Sequence, residues 1–250
     1  MNLSTTTWQV VETSNIKMVS NLLAAAKSQS LFMGISDIAG CGKSCITKLF
    51  ARNYATQGVF YLECSNWGRR DFLTFLCESA GIERKVSDAH TIPLIVRFFN
   101  DHASLKPLLI LDEADKLKSA ALQVLIPLYN GCEGQLGVMI SGVPNLEKQF
   151  KTGVLRNRQG YDELSSRFGR RFFKLPGTQR DEVFEICRVN GIVNKKTQEA
   201  IFKECEPSSV VIKDTEGKEV IVQKVYDMRR LRRIVERELL KIKNKAIKHE

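Results

Sequence analysis

The 250-residue sequence contains no apolar run approaching the roughly 20 residues that cross a bilayer as a helix; segments such as 107–111 and 136–140 are among the longest. Helical membrane spans are thereby excluded, and no membrane partner is expected. Residues 1–10 lack a basic start followed by an apolar stretch, so no secretory signal is expected and a cytoplasmic address is the default, nucleoid-associated if the source is bacterial. The seven cysteines (41, 45, 64, 77, 132, 187 and 205) are odd in number and form no C-x-x-C pair. Neither a disulfide framework nor a zinc site is expected, and the thiols read as reduced and structural. His90, His102 and His249 have no spacing that suggests a metal or a triad, and read as surface residues. Repeats, low-complexity tracts and long Pro/Gly/Ser linkers are absent.

What is present is globular: 43% hydrophobic and 26% charged residues offer enough apolar surface to offset chain entropy. The length suits one large domain or a medium domain with a small companion. Charge is distributed unevenly. Residues 1–150 carry 14 Lys+Arg against 13 Asp+Glu, whereas residues 151–250 carry 24 against 15, so nearly the whole net charge of +10 lies in the last two fifths. Such a field attracts polyanions, nucleic acid being the commonest, although a solvated basic face would look the same.

Short apolar strand candidates at 31–36, 59–63, 108–111, 138–141 and 171–175 alternate with helical patterns at 43–54, 70–79, 92–103, 119–130 and 145–150. This alternation predicts a parallel sheet with crossover helices. After Pro176-Gly177 the pattern changes to helices at 180–188 and 196–204, a hairpin over 210–225 around Asp214-Thr215-Glu216-Gly217, and a basic helix from 227 to about 247. The expected organisation is an α/β core over 1–176 and a mainly helical subdomain over 177–250. Phe72, Phe75, Phe98 and Phe99, at helical spacings, read as core.

The most informative segment is an apolar strand followed by Gly40-Cys41-Gly42-Lys43-Ser44 and a helical pattern. This is the strand, loop and helix context of a phosphate-binding loop. Backbone amides of Gly40, Cys41, Gly42, Lys43, Ser44 and Cys45 would curl around phosphate oxygens at a helix N-terminus. Lys43 would reach the β- and γ-phosphates of ATP, and the Ser44 hydroxyl would ligate Mg2+. The pattern G-x-x-x-x-G-K-[ST] wants glycine where Asp37 stands, which places an acidic side chain at the loop entrance. About 65 residues on, Pro107-Leu-Leu-Ile-Leu-Asp-Glu-Ala-Asp115 supplies a strand ending in adjacent carboxylates. Asp112 would hold the magnesium shell and Glu113 would polarise the attacking water, with Asp115 a helix cap or loop residue.

Residues 108–115, the strand Val138-Met-Ile-Ser-Gly142 and the arginines of Leu164-Ser-Ser-Arg-Phe-Gly-Arg-Arg171 together resemble AAA+ ATPases, and more narrowly the transposition target-selection ATPases of the MuB and TnsC kind. The resemblance runs over roughly residues 8–240, but only the two nucleotide motifs are specific. It implies a P-loop NTPase fold, a five-stranded parallel sheet in three layers with a small C-terminal helical lid. It also implies ATP-dependent assembly of a homo-oligomer, a helical filament or ring, on double-stranded DNA without sequence preference, and delivery of that DNA to a transposase. Carried over residue by residue, it makes Lys43, Glu113 and an arginine finger the catalytic set, the finger being Arg167, or else Arg170 or Arg171. Arg229 or Arg230 would be the lid's phosphate-sensing arginine. The polar sensor expected after the fourth strand is Val143 here, leaving Ser141 or Asn145 as substitutes and implying slow hydrolysis, stimulated by DNA or transposase.

Two basic loops are candidate DNA contacts: one with Trp67, Arg69 and Arg70, the other with Lys151, Arg156 and Arg158. Trp67 reads equally as a core residue. The terminal helix carries Arg229, Arg230, Arg232, Arg233, Arg237, Lys241, Lys243, Lys245 and Lys248, with an apolar stripe of Leu231, Ile234, Val235, Leu239 and Ile242. Its cationic face could bind DNA, dock a partner or be solvated. The function expected is an ATP-dependent DNA-binding transposition regulator. The rivals are another AAA+ switch, such as a helicase loader or secretion-type ATPase, and a nucleotide-gated protein adaptor that ignores DNA.

Overall fold

The computed structural model describes residues 8–213 and 217–247, with side chains to 244. The chain divides into two compact units. One comprises Val19–Asp37 and Lys43–Lys174; the other comprises the described residues up to Met18, Ile38–Gly42 and those from Leu175 onward. The sequence pattern alone suggests a single boundary at 176, whereas these units interleave along the chain.

The larger unit is built on a five-stranded sheet of β1 (Phe32–Ser36), β2 (Val59–Glu63), β3 (Leu108–Asp112), β4 (Gly137–Gly142) and β5 (Phe172–Phe173). Their order is β2-β3-β4-β1-β5, with every pairing parallel. Every residue of β3 and β4 is buried, which is why residues 108–111 and 138–140 read as apolar runs. The crossovers are the helices α2 (Lys43–Asn53), α3 (Arg69–Ala80), α4 (Asp88–Asp101), α5 (Ser119–Leu122), α6 (Leu125–Gly131), α7 (Pro144–Leu155) and α8 (Tyr161–Arg167), and α1 (Ser14–Ser28), which precedes β1, belongs to this unit from Val19 onward. Val19, Leu23 and Ala26 of α1 are fully buried. The sequence reading assigned no element to α1 or α8.

Several boundaries moved for local reasons. The expected helix over 119–130 is two helices, because Pro127 has no N–H to offer Gln123. The backbone there uses three-residue spacing instead, with Val124 N donating to Ala121 O (3.0 Å) and Ile126 N to Gln123 O (3.2 Å). Helix α4 starts four residues earlier than expected, since the Ser87 side chain caps it by accepting from Ala89 N. Helix α7 runs five residues further than expected, to Leu155, so Lys151 lies on a helix and not in a loop. Phe72 and Phe99 are fully buried and Phe98 packs against the core, but Phe75 is exposed and stacks on Trp67 at 4.3 Å.

The second unit contains a sheet of β6 (Thr178–Gln179), β7 (Ser208–Lys213) and β8 (Glu219–Val225), in the antiparallel order β6-β8-β7. With it are α9 (Arg180–Val189), α10 (Lys195–Glu204) and α11 (Met228–Ile247). The hairpin expected over 210–225 is β7–β8; its turn residues Asp214, Thr215 and Glu216 lie outside the described residues. Leu231, Ile234 and Val235 of α11 join Val183, Ile186, Ile201 and Phe202 in a core against which Trp8 and Val11 pack. The apolar stripe of α11 stops at Leu239, because Ile242 is 49% exposed. The side chain of Lys245, together with Lys248, His249 and Glu250, lies outside the described residues. His90 and His102 are exposed, and among the described residues no group of His, Cys, Asp and Glu could hold a metal ion. Six cysteines are buried and Cys45 is exposed; none forms a disulfide.

Candidate nucleotide site

The loop between β1 and α2 turns on Gly40 and Gly42, whose φ angles of 85° and 103° lie in the left-handed region that favours glycine. Its carbonyls are held within the smaller unit. Cys41 O accepts from Asn15 Nδ2 (3.3 Å), and Gly40 O accepts from the amides of Met228 (2.9 Å) and Arg229 (3.2 Å). A Cβ at Gly40 would stand 2.5 Å from Asp227 Oδ1, the same oxygen that caps α11 by accepting from Arg230 N (2.9 Å). The first turn of α11 is thus docked on the loop glycine.

Lys43 opens α2 and is buried, its Nζ donating to the main-chain carbonyl of Asp37 at 2.7 Å. The Asp37 backbone that stands in place of the pattern's first glycine is therefore an acceptor for the phosphate-loop lysine. Ser44 is half-buried, and its hydroxyl has no hydrogen-bond partner among the described residues. Thr47, one turn on, donates its hydroxyl to Lys43 O and Ser44 O (3.1 and 3.2 Å), tightening the start of the helix.

At the C-terminal end of β3 the Asp112 carboxylate is 1% exposed and held by three donors. Oδ1 accepts from Ser141 Oγ (2.5 Å) and Glu113 N (3.1 Å), while Oδ2 accepts from the Tyr61 hydroxyl (2.9 Å). Strand register produces this arrangement. Leu111 pairs with Ile140, so Asp112 and Ser141 come next to each other one step further, and Tyr61 on β2 sits two residues before Glu63, the partner of Asp112. Burial, and then the Asp112 charge, push the Tyr61 phenol well above its ordinary range, so it remains a donor. Sequence alone gives Tyr61 no role; its only signal there is a polar tip within the mainly apolar run Val59–Leu62.

Glu113 leaves the strand with φ 56°, and its carboxylate pairs with Lys116 Nζ. That hydrogen bond raises the Lys116 ammonium above its ordinary range. Asp115 sits in a short 3-10 turn and accepts from Val143 N (3.1 Å), tying the turn after β3 to the start of α7. Ser141 is fully buried on Asp112, whereas Asn145, second residue of α7, is exposed. The larger unit therefore gathers Lys43, Ser44, Asp112, Glu113 and Ser141 at the C-terminal edge of its parallel sheet, where open α/β sheets bind ligands.

Residues 28–150 match a family model described as an AAA domain. This segment resembles an AAA domain over just under half of the chain. Its fold is that of the P-loop NTPases. The chain is similar to the solved structure of Cdc6p from Pyrobaculum aerophilum, with a TM-score of 0.54, 15% identity, and 76% of this chain and 53% of that one covered. It is also similar to a Walker-type ATPase of Pyrococcus abyssi, with a TM-score of 0.51, 13% identity, and 76% and 61% covered. At these identities the likeness is one of fold. The chain spans between half and two thirds of those two proteins. No curated protein matches it in sequence.

The arginines beyond the AAA match differ in how they are held. Arg167 lies over the Tyr129 ring, 4.2 Å from its centroid, and donates to Asn130 Oδ1 (3.0 Å) and Glu163 Oε1 (3.4 Å). Arg170 pairs with Asp162 at 2.8 Å on the surface, and exposed Arg171 lies 5.2 Å from the Phe173 ring. Of the proposed DNA contacts, Trp67 is half-buried, Arg69 pairs with Asp88 (2.8 Å) and Lys151 with Glu147 (2.7 Å). Arg70, Arg156 and Arg158 are exposed and make no ion pair among the described residues. Between α7 and α8, residues 155–159 are exposed without interruption, Leu155 at 83%. The cationic face of α11 is partly compensated: Arg230 pairs with Glu206, Arg232 with Glu236, Arg237 with Glu204 and Glu238, and Lys241 with Glu238, while Arg229, Arg233 and Lys243 make no ion pair among the described residues.

Proposed function

We propose that this chain is an ATP- and magnesium-dependent switch that assembles on duplex DNA and marks it as a target for a transposase. The observation that carries the nucleotide part is the Lys43 start of α2 and the buried Asp112 carboxylate, both within the larger unit and the segment that resembles an AAA domain. Ser44 and Asp112 would hold magnesium, Ser44 with an uncommitted hydroxyl and Asp112 with one uncommitted lone pair. Bound there, the ion would neutralise charge on the β- and γ-phosphates. Lys43 would leave the Asp37 carbonyl for phosphate oxygens. Glu113, once released from Lys116, would orient the attacking water.

Hydrolysis that depends on assembly needs a guanidinium offered to a neighbouring copy. Arg167 is engaged by a ring and two side-chain acceptors of its own unit, so Arg171, or Arg170 on leaving Asp162, is the better-suited finger. Arg229, exposed beside Gly40, suits the lid arginine better than Arg230, which is committed to Glu206. Support for a DNA partner is the uncompensated pair Arg156 and Arg158 on an uninterrupted exposed turn with no acidic residue between 151 and 160. Along α11, Arg230, Arg232 and Arg237 are already paired, which leaves Arg229, Arg233 and Lys243 as that helix's uncompensated cations among the described residues. The transposition reading rests on the order and spacing of the motifs it shares with target-selection ATPases.

The test is fluorescence anisotropy of labelled duplex DNA with and without ATP, on wild type and Lys43→Ala, followed by negative-stain imaging. Wild type should bind and polymerise only with ATP, and Lys43→Ala should do neither. Equal duplex binding by Lys43→Ala with ATP present overturns the coupling. Preference for single strands supports a helicase loader, and ATP binding without any DNA binding supports a protein adaptor.

A further inference from the structure

We infer that Tyr61 is a positioning residue for the magnesium-side carboxylate: with Ser141 it holds the two oxygens of Asp112 in one orientation, leaving a single lone pair to meet the metal's shell. The inference rests on the nucleotide reading above and adds to it a residue outside both nucleotide motifs.

The argument is one of saturation. An ionised carboxylate offers about four lone-pair sites. Both sites on Asp112 Oδ1 are filled, by the Ser141 hydroxyl at 2.5 Å and the Glu113 amide at 3.1 Å. One site on Oδ2 is filled by the Tyr61 hydroxyl at 2.9 Å, and one remains. Rotation of the carboxylate would break these bonds at a residue 1% exposed, where an unpaired polar group is expensive. The Tyr61 hydroxyl, half-buried between the two strands, donates along this one direction to Oδ2. The pairings Tyr61 with Ile110 and Glu63 with Asp112 bring the phenol to this carboxylate from the neighbouring strand.

The same geometry reassigns Ser141. Its hydroxyl has one proton, and that proton is given to Asp112, so Ser141 orients the metal-side carboxylate and is not free to donate to a phosphate. Partners that orient metal-side groups commonly change metal affinity 10- to 100-fold when removed, roughly. Loss of the Tyr61 hydroxyl should therefore weaken the contribution of magnesium and leave the metal-free contribution of the phosphate loop untouched.

The experiment titrates MgCl2 into the full chain with a fluorescent ATP analogue, comparing wild type, Tyr61→Phe and Ser141→Ala, with parallel titrations of the analogue in EDTA. Tyr61→Phe keeps the ring and its packing; circular dichroism confirms folding, and Ser141→Ala carries the test should Tyr61→Phe misfold. The expected result is a magnesium midpoint raised about 10-fold in each variant, with analogue affinity in EDTA unchanged. Superimposable magnesium curves overturn the inference, as does an equal loss of affinity with and without magnesium, which would mark Tyr61 as structural. A wild type that fails to bind the analogue under any condition overturns the nucleotide reading itself.

Discussion

Alanine in place of Gly153 reverses the usual sign of a helix substitution. Gly153 lies inside α7, where glycine is ordinarily less favourable than alanine by about 1 kcal/mol, so Gly153→Ala should stabilise an isolated helix. In the folded protein a Cβ at this position would stand 2.3 Å from Cγ and Cδ1 of Tyr161. That ring is 1% exposed and packs edge-on against Phe150 with centroids 6.1 Å apart. Ordinary carbon–carbon contact is about 3.5–4.0 Å, so ring and helix must separate by more than about 1 Å. Overpacking of this kind costs about 1–3 kcal/mol, and at this severity the upper end applies. Net of the helix gain, Gly153→Ala should destabilise by about 1–2 kcal/mol, or lower the melting temperature by about 2–8 °C in a chain of this size. The two tryptophans are Trp8 and Trp67, so in a Trp8→Phe background urea unfolding followed by tryptophan fluorescence reports the larger unit through Trp67. In a Tyr161→Leu background the smaller side chain should let Gly153→Ala recover its gain. A Gly153→Ala protein as stable as its parent would refute the reasoning.

Glu113→Gln should keep ATP-dependent assembly on DNA while slowing turnover by about 10²-fold or more, since the amide cannot take a proton from water; unaltered phosphate release would remove Glu113 from that role. Replacing Arg156 and Arg158 together by alanine should lower the slope of log affinity for duplex DNA against log salt by about 2, and an unchanged slope would place the DNA surface elsewhere. The Glu147 carboxyl is held below the usual carboxylate range by its hydrogen bond from Lys151, against the opposing effect of burial, with Lys174 adding to the lowering. Its folded value therefore lies below its unfolded one. The stability it contributes is complete above the unfolded value of about 4.3 and is lost as pH falls through the folded value. The stability gap between wild type and Glu147→Gln should be flat from neutral pH down to about 5 and should close on further acidification. A gap independent of pH down to 3 would refute the pairing.

Features that depend on neighbouring positions along the chain were readable from residues alone. Lys43 and Ser44 follow the loop glycines covalently, and Asp112 ends a strand whose first four residues are a continuous apolar run, with Glu113 next to it. Spacing within a dozen residues is enough to suggest both halves of the proposed phosphate and magnesium site, and the alternation of apolar runs with helical periods is enough for a parallel α/β sheet. Even Gly153, invisible as a special position in a basic stretch, was covered by chain-local reasoning only up to Phe150, where the expected helix ended.

Strand order and register decided the rest. Tyr61 lies 51 residues from Asp112 along the chain and meets it only because β2 pairs with β3. Ser141, a substitute polar sensor by its place in the sequence, has its hydroxyl turned onto Asp112 Oδ1. The basic residues that looked alike in the sequence separated into Arg167, Arg230 and Arg237, engaged by acceptors on other elements or along their own helix, and Arg70, Arg156 and Arg158, left to solvent. A one-dimensional pattern records which charges a chain has; only the folded arrangement of acceptors, some of them tens of residues away, determines which of those charges are already spent and which remain for a partner.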